Sequence, residues 1–259
     1  MVFETVLVET TAKNVGIITL NRPEQLNTFN SQMAGELHAA LIGMEADENV
    51  RVILLKSSGR AFCAGIDVNE LTGKSAIQYR EWIEWMENPL VEISTMKKPV
   101  IAQVQGVATA NGMGLMAAAD LVIASERVKM GLTAINVGLN CVGPILPVSR
   151  CVGRKKALEL LLYGTLLKAQ EALELGLVNK VVAHDELDEL ALDWAEDLAK
   201  RSPLAVQIAK SAFYQSEDMD YQKQFQYMNE AFARLCTTDD AKEGVAAFLG
   251  KRNPEWKLQ

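Results

Sequence analysis

Apolar and polar positions alternate between two periods along the first two thirds of the chain. VGIITL at 15–20 is a short, almost unbroken apolar run stopped by Asn-Arg-Pro at 21–23, the mark of a strand and the turn that ends it. SQMAGELHAALIGMEAD then switches period. Met33, Leu37, Ala40, Leu41 and Met44 recur at spacings of three and four, which predicts one apolar helix face with Ser31 as its N-cap. RVILLKS (51–57), VIAQVQ (100–105) and DLVIAS (120–125) read as further strands, and the first two are apolar enough to be covered on both faces. A Gly-punctuated loop at GRAFCAGIDV and a helical stretch over 76–96, ended by Lys98-Pro99, lie between them. This alternation predicts an α/β architecture with parallel pairings. After about residue 190, ELALDWAEDLAKRS, LAVQIAKSAFYQ and YQKQFQYMNEAFARLC read as amphipathic helices broken only by Ser202-Pro203 and the acidic SEDMD stretch. The expected organisation is an α/β core over 1–190 and a helical C-terminal region over 191–259, packed on the core or on a neighbouring subunit.

Composition removes several function classes. The chain has 259 residues, 49% of them hydrophobic, and a formal charge of −7, which suits a globular protein and not one with a nucleic-acid-binding face. No apolar run reaches the ~18 residues needed to span a bilayer, and no basic segment precedes an apolar one at the N-terminus. The expectation is a soluble cytoplasmic protein with no membrane partner. The cysteines at 63, 141, 151 and 236 have no CxxC spacing, and the chain holds two histidines. They are read as reduced thiols, with no metal site and no cofactor.

The candidate chemistry lies in ANGMGLMAAAD, residues 110–120. Gly112-Met-Gly114-Leu-Met-Ala117 matches the spelling of a dinucleotide fingerprint, with Glu126 as the acidic partner. The context does not match, because GVATAN intervenes between the strand and Gly112. A second reading is that the glycines let a helix pack closely on the sheet. A third is that small residues before a helix N-terminus turn main-chain N–H groups toward a ligand, where the helix dipole adds positive charge. AFCAGIDV at 61–68 also follows a strand, so amides from two strand ends can converge on one carbonyl oxygen.

ITLNRPEQLNTFN, AFCAGIDVNEL, KKPVIAQVQGVATANGMGLMAAADLVIAS, NVGL, VGRKKALELLLYG, EALELGLVNKVV and TTDDAKEGVAAFLGKRNPEW together resemble the crotonase superfamily, the enoyl-CoA hydratase/isomerase family, over nearly the full length. The resemblance implies a spiral of ββα units with a helical C-terminal trimerisation region. It also implies a homotrimer or dimer of trimers, and an acyl-CoA thioester as substrate whose coenzyme A is the only group required. It puts the two backbone donors of an oxyanion hole on Ile66 and Asn111, with Gly112 in the same loop. Leu26, Ala64, Asp67 and Val68 fall where members line the CoA adenine and pantetheine, and Arg22 faces the CoA phosphates or is a solvated arginine on a turn.

One departure governs the expected reaction. Hydratase members hold a water between two glutamates, and in this chain those positions are Gly114 and Ala134, neither of which transfers a proton. In the following loop, Leu139-Asn140-Cys141-Val142-Gly143-Pro144, Cys141 is the one side chain able to give up a proton near neutral pH, although a small buried hydrophobe is the competing reading. Asn140 and Asn136 are candidates to orient water or substrate. Asp67 has an adequate structural role as a helix cap, and His38 and His184 are read as bystanders. The pattern is nearest to the enoyl-CoA hydratase domain-containing branch of the superfamily. The expected function is an acyl-CoA lyase- or isomerase-type enzyme that stabilises a thioester enolate and is not an efficient hydratase. The alternative is an acyl-CoA-binding protein without turnover.

Overall fold

The computed structural model describes residues 3–258. β1 (Val6–Thr10) and β2 (Val15–Leu20) form an antiparallel hairpin, with Val6 opposite Leu20. α1 (Ser31–Ala46) leads to β3 (Val52–Ser57), parallel to β2, and α2 (Ala76–Thr95) leads to β4 (Val100–Val104), parallel to β3. From β4 the chain turns at Gly106 (φ +63°) into β5 (Val107–Thr109), the first strand of a second sheet, and then into α3 (Asn111–Ala118). The next turn repeats the pattern: β6 (Leu121–Ser125) in the first sheet, β7 (Lys129–Gly131) in the second, a 3-10 turn over Thr133–Val137, then α4 (Ile145–Val152). α5 (Arg154–Tyr163), β8 (Leu167–Lys168), α6 (Ala169–Glu174), β9 (Lys180–Val182), α7 (Leu187–Ala199), α8 (Pro203–Ser216), α9 (Tyr221–Cys236) and α10 (Asp239–Leu249) complete the order.

The first sheet runs β1-β2-β3-β4-β6-β9 and the second β5-β7-β8. Successive chain turns thus lay one strand in each sheet and then a helix, the spiral expected from the sequence. Cys63, bridged in parallel to Ala108, stands in the second sheet for the turn that starts at β3. The apolar runs of β3 and β4 are covered on both sides. On one side Met33, Leu37 and Leu41 of α1 and Met86 and Ile93 of α2 are buried against Ile53, Leu55 and Val100. On the other, Leu187, Ala191, Ala195 and Ala199 of α7 pack on Ile17, Leu54, Ile101 and Ile123. Burying each such large side chain contributes about 1.5–3 kcal/mol.

Two details differ from the sequence reading. The N-cap of α1 is Asn30, extended at φ −113° and ψ 171°, whose side chain accepts from Met33 N at 2.9 Å. Ser31 is the first helical residue instead. Its hydroxyl donates to Glu70 Oε2 (2.6 Å) and accepts from the Trp82 indole (2.9 Å). The division expected at 190 falls inside α7, which covers the sheet; α8, α9 and α10 follow it. Among the described residues no helix is long and apolar enough to cross a membrane.

Candidate active site

The two glycine-bearing loops meet, and their own hydrogen bonds fix which amides remain free. Phe29 N donates to Gly65 O (2.7 Å) and Asp67 N donates to Phe29 O (2.8 Å). In this parallel bridge Ile66 lies between the two bonded positions, so its own N–H points away from Phe29. The second loop is held as firmly. Cys63 N donates to Val107 O (3.1 Å), Thr109 N to Cys63 O (3.0 Å) and Ala110 N to Gly131 O (2.9 Å).

Ala110 then adopts φ +49° and ψ −113°. Such a conformation costs a non-glycine residue about 1–3 kcal/mol and persists only where the surroundings hold it. It turns the chain abruptly into α3, whose first helical bond is Gly114 N to Ala110 O (3.0 Å), leaving the Asn111 N–H outside the helical ladder. Among the described residues neither Ile66 N nor Asn111 N has a hydrogen-bond acceptor. The residue before each donor touches the residue before the other: a β-carbon on Gly65 would lie 3.1 Å from Ala110 Cβ. Two unpartnered N–H groups, one at a helix N-terminus, can take up a developing negative oxygen.

The opening glycines of α3 serve packing. A β-carbon on Gly112 would lie 2.8 Å from Cys63 Cβ and 2.9 Å from its carbonyl carbon, so α3 approaches the second sheet only because this position is bare. A β-carbon on Gly114 would lie 2.6 Å from Pro144 Cβ, 2.8 Å from Pro144 Cα and 3.3 Å from Leu90 Cδ2. The space a carboxylate would need at 114 is therefore filled by the loop before α4 and by α2. β5 leads into α3 through Ala110 alone, and Gly112 falls inside the first turn of α3, packed on Cys63, so it does not make the tight strand-to-helix turn that the first glycine of a dinucleotide fingerprint provides.

The expected CoA-side residues cluster around the Ile66 loop. Leu26 (φ +52°) accepts from Ala64 N at 3.0 Å, and the Val68 side chain is exposed beside them. Asp67 caps the 3-10 turn over Val68–Glu70 by accepting from Asn69 N (3.2 Å). Arg22 is a correction. Its guanidinium donates to Asp67 Oδ2 (3.0 Å) and to the Thr28 carbonyl, and both charged side chains are largely buried, so it is not a solvated arginine on a turn, and its charge is already paired. Burial pushes the Asp67 carboxyl up, but the Arg22 and Asn69 donors outweigh it and hold the group below its ordinary value.

Ala134, Asn136, Asn140 and Cys141 lie in the segment after β7. Ala134 is half-buried against the core, and its carbonyl accepts from Leu139 N (3.1 Å). Asn136 is exposed beside Gly164. Asn140 Oδ1 accepts from Cys141 N (2.8 Å), which commits it to its own turn. Cys141 is buried, and desolvation raises its thiol above the usual range. Of the two readings of Cys141, its burial favours the small hydrophobe over proton transfer. His38 contacts Glu92 and His184 contacts Ser125, each at 3.3 Å.

Sequence reasoning missed one side chain here, Glu87 of α2. Glu87 lies one turn before Leu90, on the side of α2 that carries the buried Met86, Leu90 and Ile93. A β-carbon at Gly143 would fall within the Glu87 carboxylate. Glu87 and Gly143 also reach a cavity of about 680 Å3 that runs toward the C-terminal end of α3, between Leu90, Ala118, Leu146 and Phe213. Neither Ile66 nor Asn111 lines that cavity. Its floor includes Asp120, which accepts from Val100 N (2.6 Å) and from Lys210 Nζ (2.7 Å). Burial raises the Asp120 carboxyl and lowers the Lys210 ammonium, and their mutual contact opposes both shifts.

Taken together, a two-sheet ββα spiral with two strand-end loops that present free amides defines the fold class of the crotonases. Residues 10–259 match the family model described as enoyl-CoA hydratase/isomerase, and the chain belongs to that family. It is 39% identical over 260 residues to a probable enoyl-CoA hydratase of Rhizobium meliloti, covering 99% of each chain. Its fold is similar to the crystal structure of an enoyl-CoA hydratase of Mycobacterium smegmatis, with TM-score 0.94, 36% identity and coverage of 98% and 99%. It is also similar to human enoyl-CoA hydratase domain-containing protein 3, with TM-score 0.91, 32% identity and coverage of 98% and 100%.

Proposed function

We propose that the protein processes acyl-CoA thioesters, using the Ile66 and Asn111 N–H groups as an oxyanion hole for a thioester enolate, and that it is not an efficient hydratase. The observation that carries this reading is the pair of N–H donors, on two loops in mutual contact, that have no acceptor among the described residues. A thioester oxygen gains charge as its enolate forms, so fixed donors stabilise the transition state more than the ground state. Hydration also needs groups that activate water and deliver its proton. Positions 114 and 134 supply none, and Pro144 occupies the space beside the first. Decarboxylation of a malonyl-type thioester, a double-bond shift or a retro-aldol step needs the hole and at most one proton carrier. The only group required besides protein is the coenzyme A of the substrate. The reading extends to a homotrimer or dimer of trimers, supported by the exposed Tyr163, Phe232 and Phe248 side chains.

The test is mass spectrometry of enoyl-, malonyl- and hydroxyacyl-CoA thioesters incubated with the protein. The expected result is that one thioester is consumed, that crotonyl-CoA is not appreciably hydrated, and that Ile66→Pro, which lacks the N–H, loses on the order of 100-fold or more in rate. Rapid crotonyl-CoA hydration by pure protein would refute the reading. Tight binding across the panel with no turnover would favour the acyl-CoA-binding alternative.

A further inference from the structure

The Glu87 carboxyl has no hydrogen-bond or ion-pair partner among the described residues. It is half-buried, and desolvation raises it above the ordinary carboxylate range. Packing settles where it points. The carboxylate lies directly on Gly143, the next residue, Pro144, packs on Gly114, and Leu90, one helical turn on from Glu87, reaches the same spot. α2 and the 143–144 loop thus close on the first turn of α3, just after Asn111. Glu87 is not sealed there, because it also borders the open cavity that Leu90 and Gly143 line.

We propose that Glu87 is the proton-transferring carboxylate of this site, reaching from α2 the region that α3 leaves without a carboxylate at Gly114, and that its substrates are β,γ-unsaturated acyl thioesters. The inference rests on the acyl-CoA reading above. The carboxylate accepts a proton from the α-carbon; that C–H bond breaks as the Glu87 O–H bond forms, and the electron pair moves into the enolate held by the Ile66 and Asn111 amides. The same carboxylic acid then returns the proton to the γ-carbon, the enolate electrons shift to form the α,β double bond, and the carboxylate is restored. No water, oxidant or reductant is consumed. A carboxyl desolvated and free of hydrogen bonds is basic enough to take the proton and acidic enough to give it back. A side chain at Gly143 would displace this carboxylate.

The experiment follows conversion of β,γ-hexenoyl-CoA to its conjugated isomer in deuterated water, with hexanoyl-CoA binding by calorimetry in parallel. Wild-type protein is expected to isomerise the probe. Glu87→Gln is expected to lose on the order of 100-fold or more in rate, the range of a positioned acid/base group, while binding hexanoyl-CoA within about three-fold of wild type. Gly143→Ala keeps the carboxyl but moves it, so it should lose rate as well; this second variant keeps the test decisive should Glu87→Gln fold poorly. Undiminished isomerisation by both variants overturns the proposal and leaves the oxyanion hole standing. So does wild-type protein that binds hexanoyl-CoA, or consumes a malonyl-type thioester, without isomerising the probe. Failure to bind any acyl-CoA overturns the acyl-CoA reading itself.

Discussion

Gly112→Ala is the sharpest perturbation of the proposed oxyanion loop, because the added methyl would meet backbone rather than a side chain that can swing away. Its β-carbon would lie 2.8 Å from Cys63 Cβ and 2.9 Å from the Cys63 carbonyl carbon. Comfortable carbon contacts are about 3.5–4.0 Å, so α3 and the Cys63 strand end must part by roughly 0.6–1.2 Å. Cys63 cannot retreat easily, since its N–H and carbonyl are tied to Val107 and Thr109. Overpacking of this kind costs about 1–3 kcal/mol. For a chain of this size that lowers Tm by roughly 2–12 °C. The larger effect falls on activity: Asn111 precedes Gly112, and misplacing an oxyanion donor costs about 10²–10³ in kcat. Gly43→Ala is the control. Gly43 lies within α1 and a β-carbon there would meet nothing within 4 Å, so the same change should stabilise by about 0.5–1 kcal/mol. Thermal unfolding of both variants, with turnover of whichever thioester the panel identifies, checks the argument. A Gly112→Ala protein as stable and active as wild type would refute it.

Lys210→Met should destabilise by about 3–5 kcal/mol, because it leaves the buried Asp120 carboxyl without its cation; a loss under about 1 kcal/mol in urea unfolding would show that α8 is held by other contacts. Asp67→Asn should cost about 1.5–3 kcal/mol near neutral pH by weakening the hydrogen bond from Arg22. The Asp67 pKa is depressed in the folded state, so this stabilisation is complete above its unfolded value of 3.8 and is lost as pH falls through the lower folded value. The gap between wild type and variant should therefore narrow only in that acid range, and a gap independent of pH would contradict the pairing.

Much of the scaffold could be read from local pattern. The strands at 15–20, 51–57, 100–105 and 120–125 and the helix over 76–96 appear within a residue or two of where periodicity put them. Period and punctuation are local properties that tertiary packing reinforces here. The cap of α1 moved by one residue because Asn30 and Ser31 are both good caps, and the choice depends on Ser31 being drawn to Glu70 and Trp82. Arg22 looked like a turn residue because its partner, Asp67, is 45 positions away.

By itself, then, the sequence determined the alternation of strands and helices, the two small-residue loops, the family, and the lack of a carboxylate at 114 and 134, since each is a matter of which residue stands where. Only the tertiary structure decided which amides are left free, because that depends on how Phe29, Gly131 and Val107 use up their neighbours. It likewise decided that Cys141 is a buried thiol and that Arg22 is spoken for. Glu87 shows the reason most plainly. The role proposed for it depends on being desolvated against Gly143 with no hydrogen-bond partner among the described residues, and solvation is set by residues distant in the chain.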